Sequence, residues 1–128
     1  MTEVQARVLM RKSDDYLASA VDNMAAGRYT PAAGDAIHAG ISAKDAIVMA
    51  LTGAVTKHKD HSQAVAELKQ ALGKRPETAE AGRALQELVA VKSTVEYGAE
   101  LVAEARARAL VRRATYLTGL AATLVRLT

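Results

Sequence analysis

The stretch PAAGDAIHAGISAKDAIVMALTGAV, residues 31–55, decides the fold of this chain. Its aliphatic residues recur at helical spacing, and they are Ile37, Ile41, Val48, Leu51 and Val55. A second stripe, mostly of small residues, runs beside the first through Ala36, Gly40, Ala43, Ile47, Ala50 and Ala54. Because this flank carries so little bulk, neighbouring helices can approach it closely. We therefore predict a helix over residues 31–55 at the centre of a helical bundle.

Glycine, proline and short polar connectors divide the rest of the chain into four more helical segments. Their predicted bounds are Thr2–Ala26, Asp60–Leu72, Glu77–Val91 and Ala99–Leu127. In the first segment, the apolar residues expected to face inward are Val4, Val8, Leu17, Val21 and Met24. Gly27 suits the stop after that segment, and Thr30 and Pro31 suit the N-cap and first position of the central helix. Five helices with short connectors predict an all-α, antiparallel, up-and-down bundle that forms one domain over residues 1–128.

The composition of the 128 residues narrows the possible functions. With no cysteine, the chain has no disulfide framework, no thiolate nucleophile and no cysteine-based zinc site. The first residues are polar and include Glu3, which is not typical of a signal peptide. No apolar run approaches the ~18 residues that a membrane span needs, so we expect a cytoplasmic protein with no membrane partner. The net charge of +3 permits contact with nucleic acid without requiring it.

The hexapeptide Lys92-Ser93-Thr94-Val95-Glu96-Tyr97 lies at the hinge between the last two predicted helices, and Lys92, Glu96 and Tyr97 form the first candidate site. In a functional interpretation, Lys92 contacts a phosphate while Tyr97 offers a hydroxyl and a stacking face. RNA cleavage also needs a general base, and tyrosine, with a pKa of about 10, suits that task poorly at neutral pH. The alternative is structural, with Tyr97 packed at the helix junction and its hydroxyl bonded to the backbone.

A polar face on the central helix is the second candidate site. Asp35, His38, Ser42 and Asp45 are spaced by three, four and three residues, which places them on one helical face. His38 could act as a general base oriented by Asp35 or Asp45, and the face could also bind a divalent ion or line a groove or dimer seam. The alternative is a solvated face with local hydrogen bonds.

Two histidines flank an aspartate near the start of the third segment. His58, Asp60 and His61 could ligate zinc or nickel, but no further obvious ligand lies nearby. The alternative is that Asp60 caps the third helix by accepting backbone N–H groups. We favour the cap, and we predict no metal site.

Basic residues are densest on the last helix, and with bases of the third and fourth segments they could form a phosphate-contacting surface. This basic set comprises Arg106, Arg108, Arg112 and Arg113 together with Lys69, Lys74, Arg75 and Arg83. The alternative is a set of solvated helix faces. No glycine-rich phosphate loop or serine nucleophile elbow is present, and we predict no cofactor.

Five segments, by their order and spacing, resemble the HEPN family of small helical-bundle proteins. They are Ala25–Tyr29, Asp35–Leu51, His58–Val65, Lys92–Tyr97 and Ala99–Leu120. At the hinge, the catalytic members of the family resemble ribonucleases with the motif Arg-x4-6-His, in which four to six residues separate an arginine from a histidine. This chain has Lys92 at the arginine position and Tyr97 at the histidine position, so the nuclease motif is not matched.

The resemblance implies a homodimer with the hinge residues near the subunit interface. It also implies partners such as nucleic acid or a nucleotidyltransferase-like protein, because the family often serves in toxin–antitoxin and defence systems. With the nuclease motif unmatched, we expect a non-catalytic binding protein that engages nucleic acid, nucleotide or a partner protein. The residues expected to bind are Lys92, Glu96, Tyr97, Asp35, His38, Ser42 and Asp45.

Two other functions remain open. One is a ribonuclease toxin with variant active-site residues, for which the catalytic candidates are Lys92, Tyr97 and His38, with His61 as a further histidine. The other is a purely structural assembly protein. The two differ in that the first cuts RNA, whereas the second has no affinity for nucleic acid even at low salt.

Overall fold

The computed structural model describes residues 2–56 and 60–127. It contains six helices: α1 (Thr2–Ala25), α2 (Tyr29–Thr52), α3 (His61–Leu72), α4 (Thr78–Ala90), α5 (Lys92–Tyr97) and α6 (Glu104–Leu127). The five long helices confirm the predicted all-α bundle, and the short α5 lies at the predicted hinge. Among the residues described there is no strand, and no helix combines the length and apolarity that crossing a membrane requires.

The central position predicted for α2 is confirmed, because α2 packs against all five other helices. The small-residue stripe explains how it does so. A Cβ atom placed on Gly40 would overlap the Cδ1 methyl of Leu88 in α4 and would lie 3.5 Å from the Cδ1 methyl of Leu117 in α6. Both leucines are fully buried. The absence of a side chain at Gly40 therefore lets three helices meet at one point of the core.

The inward face of α1 differs from the predicted one. Its fully buried residues are Ala6, Ser13 and Ala20, which follow a seven-residue spacing and let α1 lie close to its neighbours. Leu17 and Met24 pack against the core, as predicted. Val4, Val8 and Val21 do not, and they are 49%, 55% and 51% exposed. The prediction for these three valines is wrong because small residues, and not the valines, form the contact face.

One buried polar contact joins three helices. The hydroxyl of Ser13 in α1 donates to the carbonyl oxygen of Ala39 in α2 at 2.8 Å and lies 2.9 Å from the hydroxyl oxygen of Thr118 in α6. Since the single proton of Ser13 goes to Ala39, the hydroxyl of Thr118 must be the donor to Ser13. Both side chains are buried, so this contact satisfies polar groups that would otherwise destabilise the core.

Two predicted helix ends are confirmed. The carboxylate of Asp60 accepts the backbone N–H of Ser62 at 2.9 Å and so caps α3. Gly27 follows the end of α1 with a φ of 76°, a left-handed conformation that favours glycine. Both ends follow from short-range rules. Asp60 supplies a hydrogen-bond acceptor for an unpaired backbone N–H group, and Gly27 adopts a backbone conformation that ends the helix.

The predicted start of the last helix at Ala99 is wrong, because α6 begins at Glu104. The hydroxyl oxygen of Thr30 accepts the backbone N–H of Val102 at 2.9 Å and fixes the connection before α6. Thr30 is not the N-cap of α2, because α2 begins one residue earlier, at Tyr29, and its start has no side-chain cap. Pro31 therefore lies in the first turn, where a missing N–H costs nothing.

Candidate functional site

The short helix α5 places two of the predicted site residues next to each other. Lys92 and Glu96 lie one helical turn apart, and the Nζ atom of Lys92 donates to Oε2 of Glu96 at 3.0 Å. Val95 on the same helix packs against the hydrophobic core. Because Val95 anchors α5, the lysine and the glutamate are presented at the surface in a defined orientation.

His38 of α2 completes what we call the hinge cluster, which consists of His38, Lys92 and Glu96. The Nε2 atom of His38 lies 3.2 Å from Oε1 of Glu96, the carboxylate oxygen that Lys92 does not use. The imidazole ring also stacks on Tyr16 of α1, with ring centroids 5.2 Å apart and an interplanar angle of 29°. The ring of His38 is thus positioned by a carboxylate from α5 and an aromatic ring from α1.

The rest of the predicted polar face of α2 points to other neighbours. Asp35 accepts hydrogen bonds from Ser19 at 2.6 Å and from Asn23 at 3.0 Å, both in α1. Asp45 accepts from the Nζ atom of Lys44 at 3.0 Å. Ser42 is buried. The face predicted as one site is therefore divided between α1, the hinge cluster and the far end of α2.

The charges of the hinge cluster are balanced around Glu96. The hydrogen bond from Lys92 lowers the pKa of the Glu96 carboxyl, and the charges of Lys92 and His38 lower it further, although partial burial opposes them. The carboxylate is therefore ionised at neutral pH and forms an ion pair with Lys92.

Replacing Glu96 by glutamine is expected to remove part of the acid sensitivity of the fold. Because the pKa of Glu96 in the folded protein lies below its usual value of 4.5, ionised Glu96 stabilises the fold above that value, and the contribution is lost as the pH falls through the lower pKa. The difference in unfolding free energy between wild type and Glu96→Gln should be complete at about pH 6 and should shrink toward about pH 3. Urea unfolding at stepped pH measures it. The difference in unfolding free energy between wild type and Lys92→Met should shrink over the same pH range. A difference that does not depend on pH would contradict this account.

Tyr97 follows the hinge cluster and is 82% exposed. The structural alternative, in which Tyr97 packs at the helix junction, is therefore wrong. Leu101, in the connection between α5 and α6, is 89% exposed. We call Lys92, Tyr97 and Leu101 the hinge surface. It offers to solvent one aromatic side chain, next in sequence to the Lys92–Glu96 pair, and one aliphatic side chain four residues further along the chain.

A groove of about 380 Å³ lies between α2, α3 and α4 and reaches the hinge cluster at Lys92. Its polar lining consists of Lys44, Asp45, Thr56, His61 and Lys92, and its apolar lining includes Ile41, Leu85 and Val89. The groove brings together Asp45, His61 and Lys92, which the sequence analysis assigned to three separate candidate sites.

The sequence analysis missed two residues, Lys44 and Tyr16, and it named Glu96 without pairing it with His38. Lys44 is only 3% exposed, and its ammonium group pairs with Glu67 of α3 as well as with Asp45. A single lysine inside the alanine- and isoleucine-rich α2 was the available signal for this buried charge. Glu96 as the partner of His38, and Tyr16 as its stacking partner, left no signal because both lie on other helices.

The proposed metal ligands divide as well. His58 lies outside the described residues, Asp60 caps α3, and His61 lines the groove. Within residues 2–56 and 60–127, no three metal-ligating side chains come together. This arrangement favours the capping interpretation of Asp60.

The predicted basic set is spread over several helices and partly paired. Arg108 bonds Glu104 at 2.5 Å, and Arg113 bonds Glu87 at 2.5 Å. A third member, Arg75, donates to the carbonyl oxygen of Leu72 at 2.9 Å. These contacts favour solvated helix faces over one continuous phosphate-binding surface.

No protein-family model matches the chain, and no curated protein matches it at a significant level. What the chain binds must be inferred from the hinge cluster, the hinge surface and the groove.

Proposed function

We propose that this chain is a HEPN-like, non-catalytic binding protein that engages nucleic acid, nucleotide or a partner protein at the hinge surface. Single-stranded RNA suits that surface best. The exposure of Tyr97 carries the proposal, because an 82% exposed ring beside a lysine offers a base one face to stack on and a phosphate one cation to approach. Such stacking contributes about 1–3 kcal/mol per base and tolerates any sequence.

The hinge cluster supports binding more than catalysis. The Nζ atom of Lys92 bonds Oε2 of Glu96, so the cation at the arginine position of the nuclease motif is already paired. Lysine cannot provide the bidentate hydrogen bonds with which arginine stabilises a phosphorane. A tyrosine hydroxyl is in general a weaker base at neutral pH than the histidine of the nuclease motif.

The proposal includes a homodimer with the hinge surface near the subunit interface. Tyr97 supports this part, because it is exposed and tyrosine is enriched in protein–protein interfaces relative to the rest of the surface. A nucleotidyltransferase-like protein is the other partner that the family resemblance suggests. A second copy of the chain or a nucleotidyltransferase-like protein is compatible with RNA binding if the complex leaves one face of the Tyr97 ring open.

Tyr97→Leu is expected to weaken the binding of single-stranded RNA by roughly tenfold, because a lost stacking contact is worth about 1–3 kcal/mol. Tyr97→Phe should bind as wild type does, since the ring is retained. Lys92→Ala should weaken binding less and reduce the salt dependence by about one phosphate contact. Fluorescence anisotropy with labelled oligouridylate at low salt measures all three variants.

Lys74→Ala is the matched control for Lys92→Ala, because Lys74 is an exposed lysine between α3 and α4, on a different part of the surface. Equal losses for the two lysines would indicate non-specific charge attraction and contradict a site at the hinge. Absence of any RNA binding at low salt would favour the structural assembly protein.

A ribonuclease with variant residues is the second candidate function. The observation that favours it is the 3.2 Å contact between His38 and Glu96, since a histidine oriented by a carboxylate can act as a general base. RNA incubated with the purified protein should then be cut, and His38→Ala should abolish the cutting. Intact RNA that is nevertheless bound would support the non-catalytic proposal.

A further inference from the structure

A second groove, of about 570 Å³, lies between the C-terminal half of α1 and the N-terminal half of α6. Its apolar lining comes from Val21 and Met24 of α1 and from Val111 of α6. Val21 is 51% exposed. No residue of the hinge cluster or the hinge surface lines this groove, so it is separate from the site proposed above.

The rim of this groove carries a positive charge that the described residues do not neutralise. Arg108 and Arg112 lie one turn apart on α6 and both line the groove. Arg108 bonds Glu104, which also interacts with the hydroxyl of Tyr29. Arg112 is exposed and has no ion-pair partner within the part of the chain that the structure describes. One guanidinium is therefore available at the edge of an apolar depression.

We propose that this groove binds a small amphipathic anion, namely a carboxylate with a compact apolar body. The apolar body lies against Val21, Met24 and Val111, and the carboxylate accepts hydrogen bonds from the guanidinium of Arg112. Arginine suits this role because its planar group matches a carboxylate with two parallel hydrogen bonds. The volume lies within the range usual for small-molecule sites.

The dimensions and charge favour a small molecule over an acidic helix of a partner protein. The α6 side of the groove runs from Arg108 to Tyr116, a span of eight residue steps that rises about 12 Å in a helix. That length matches a medium-chain carboxylate such as octanoate. A helix seated in a groove needs several anchors and would bring several acids, whereas only one arginine here is unpaired.

Isothermal titration with octanoate tests the site, together with methyl NMR of the valines. We expect a dissociation constant below about 1 mM and shifts of the Val21 and Val111 methyl signals. Arg112→Gln should weaken the binding roughly tenfold, because it removes a charge-assisted hydrogen bond. Arg106→Gln is the matched control: it removes the same charge from the same helix at a position that does not line the groove, and it should bind as wild type does.

Three results would overturn the proposal. The first is no octanoate binding up to about 1 mM, as would also happen if a partner helix or a second copy of the chain covered the groove. The second is equal binding of 1-octanol, which has the same apolar body without the charge. The third is equal weakening by Arg112→Gln and Arg106→Gln.

Discussion

Replacing Gly40 by valine is expected to lower the free energy of unfolding by about 3 kcal/mol. A β-carbon at this position overlaps the Cδ1 methyl of Leu88, and the methyls of valine add further bulk toward Leu117. Both leucines are fully buried, so neither can swing toward solvent. The higher helix propensity of valine returns only about 0.3 kcal/mol. Chemical denaturation of the purified variant measures the loss.

Gly119→Val is the matched control for Gly40→Val. Gly119 lies on the exposed side of α6, and a Cβ atom there meets nothing within 4 Å. The same substitution should therefore be neutral or stabilise the fold by about 0.3 kcal/mol. Leu88→Ala added to Gly40→Val should cost less than the sum of the two single changes, because the smaller side chain makes room for the valine. Equal effects of the two glycine substitutions would contradict the close approach of α2 and α4.

Removing the carboxylate of Glu67 is expected to lower the free energy of unfolding by about 3 kcal/mol. The ammonium group of Lys44 is 3% exposed and pairs with Glu67 and, at 3.0 Å, with Asp45. Glu67→Ala leaves that buried charge with Asp45 as its remaining carboxylate partner. It also deletes the acceptor for the backbone N–H of Thr56, which lies between α2 and α3. Urea unfolding of Glu67→Ala measures the loss.

Two further variants separate burial from simple loss of an ion pair. Glu87→Ala breaks the ion pair between Glu87 and Arg113, in which both side chains are about half exposed. It should lower the free energy of unfolding by less than about 1 kcal/mol. The double variant Lys44→Met/Glu67→Gln removes both charges of the pair and should cost less than Glu67→Ala alone. A cost for Glu67→Ala no larger than that for Glu87→Ala would contradict the role of the buried pair.

The parts of the fold that depend on neighbouring residues could be predicted from the sequence. The cap at Asp60 and the stop at Gly27 each follow from one residue and the backbone beside it. The central position of α2 could be predicted because its small-residue stripe permits close approach from several directions. The exposed valines of α1 could not, since Ala6, Ser13 and Ala20 give a weaker hydrophobic signal than valine but a flatter contact face.

The candidate site was less predictable because its contacts come from helices that are distant in sequence. The spacing within α2 suggested Asp35 or Asp45 as the partner of His38, whereas the structure supplies Glu96 from α5. A short helix was also harder to recognise than a long one, because Lys92–Tyr97 has too few residues to show a period. The start of α6 depended on Thr30, whose contact with Val102 spans 72 residues.

The hydrogen bond between Ser13 and Thr118 joins residues that are 105 positions apart, and this has a consequence for synthesis on the ribosome. Helices α1 and α2 leave the exit tunnel well before α6, because a chain emerges from its N-terminus. Until α6 has emerged, the apolar surface that it will cover remains exposed to water, and so does the Ser13 hydroxyl. The nascent chain therefore exposes part of its apolar core to chaperones. The core closes only after residue 118 has left the ribosome.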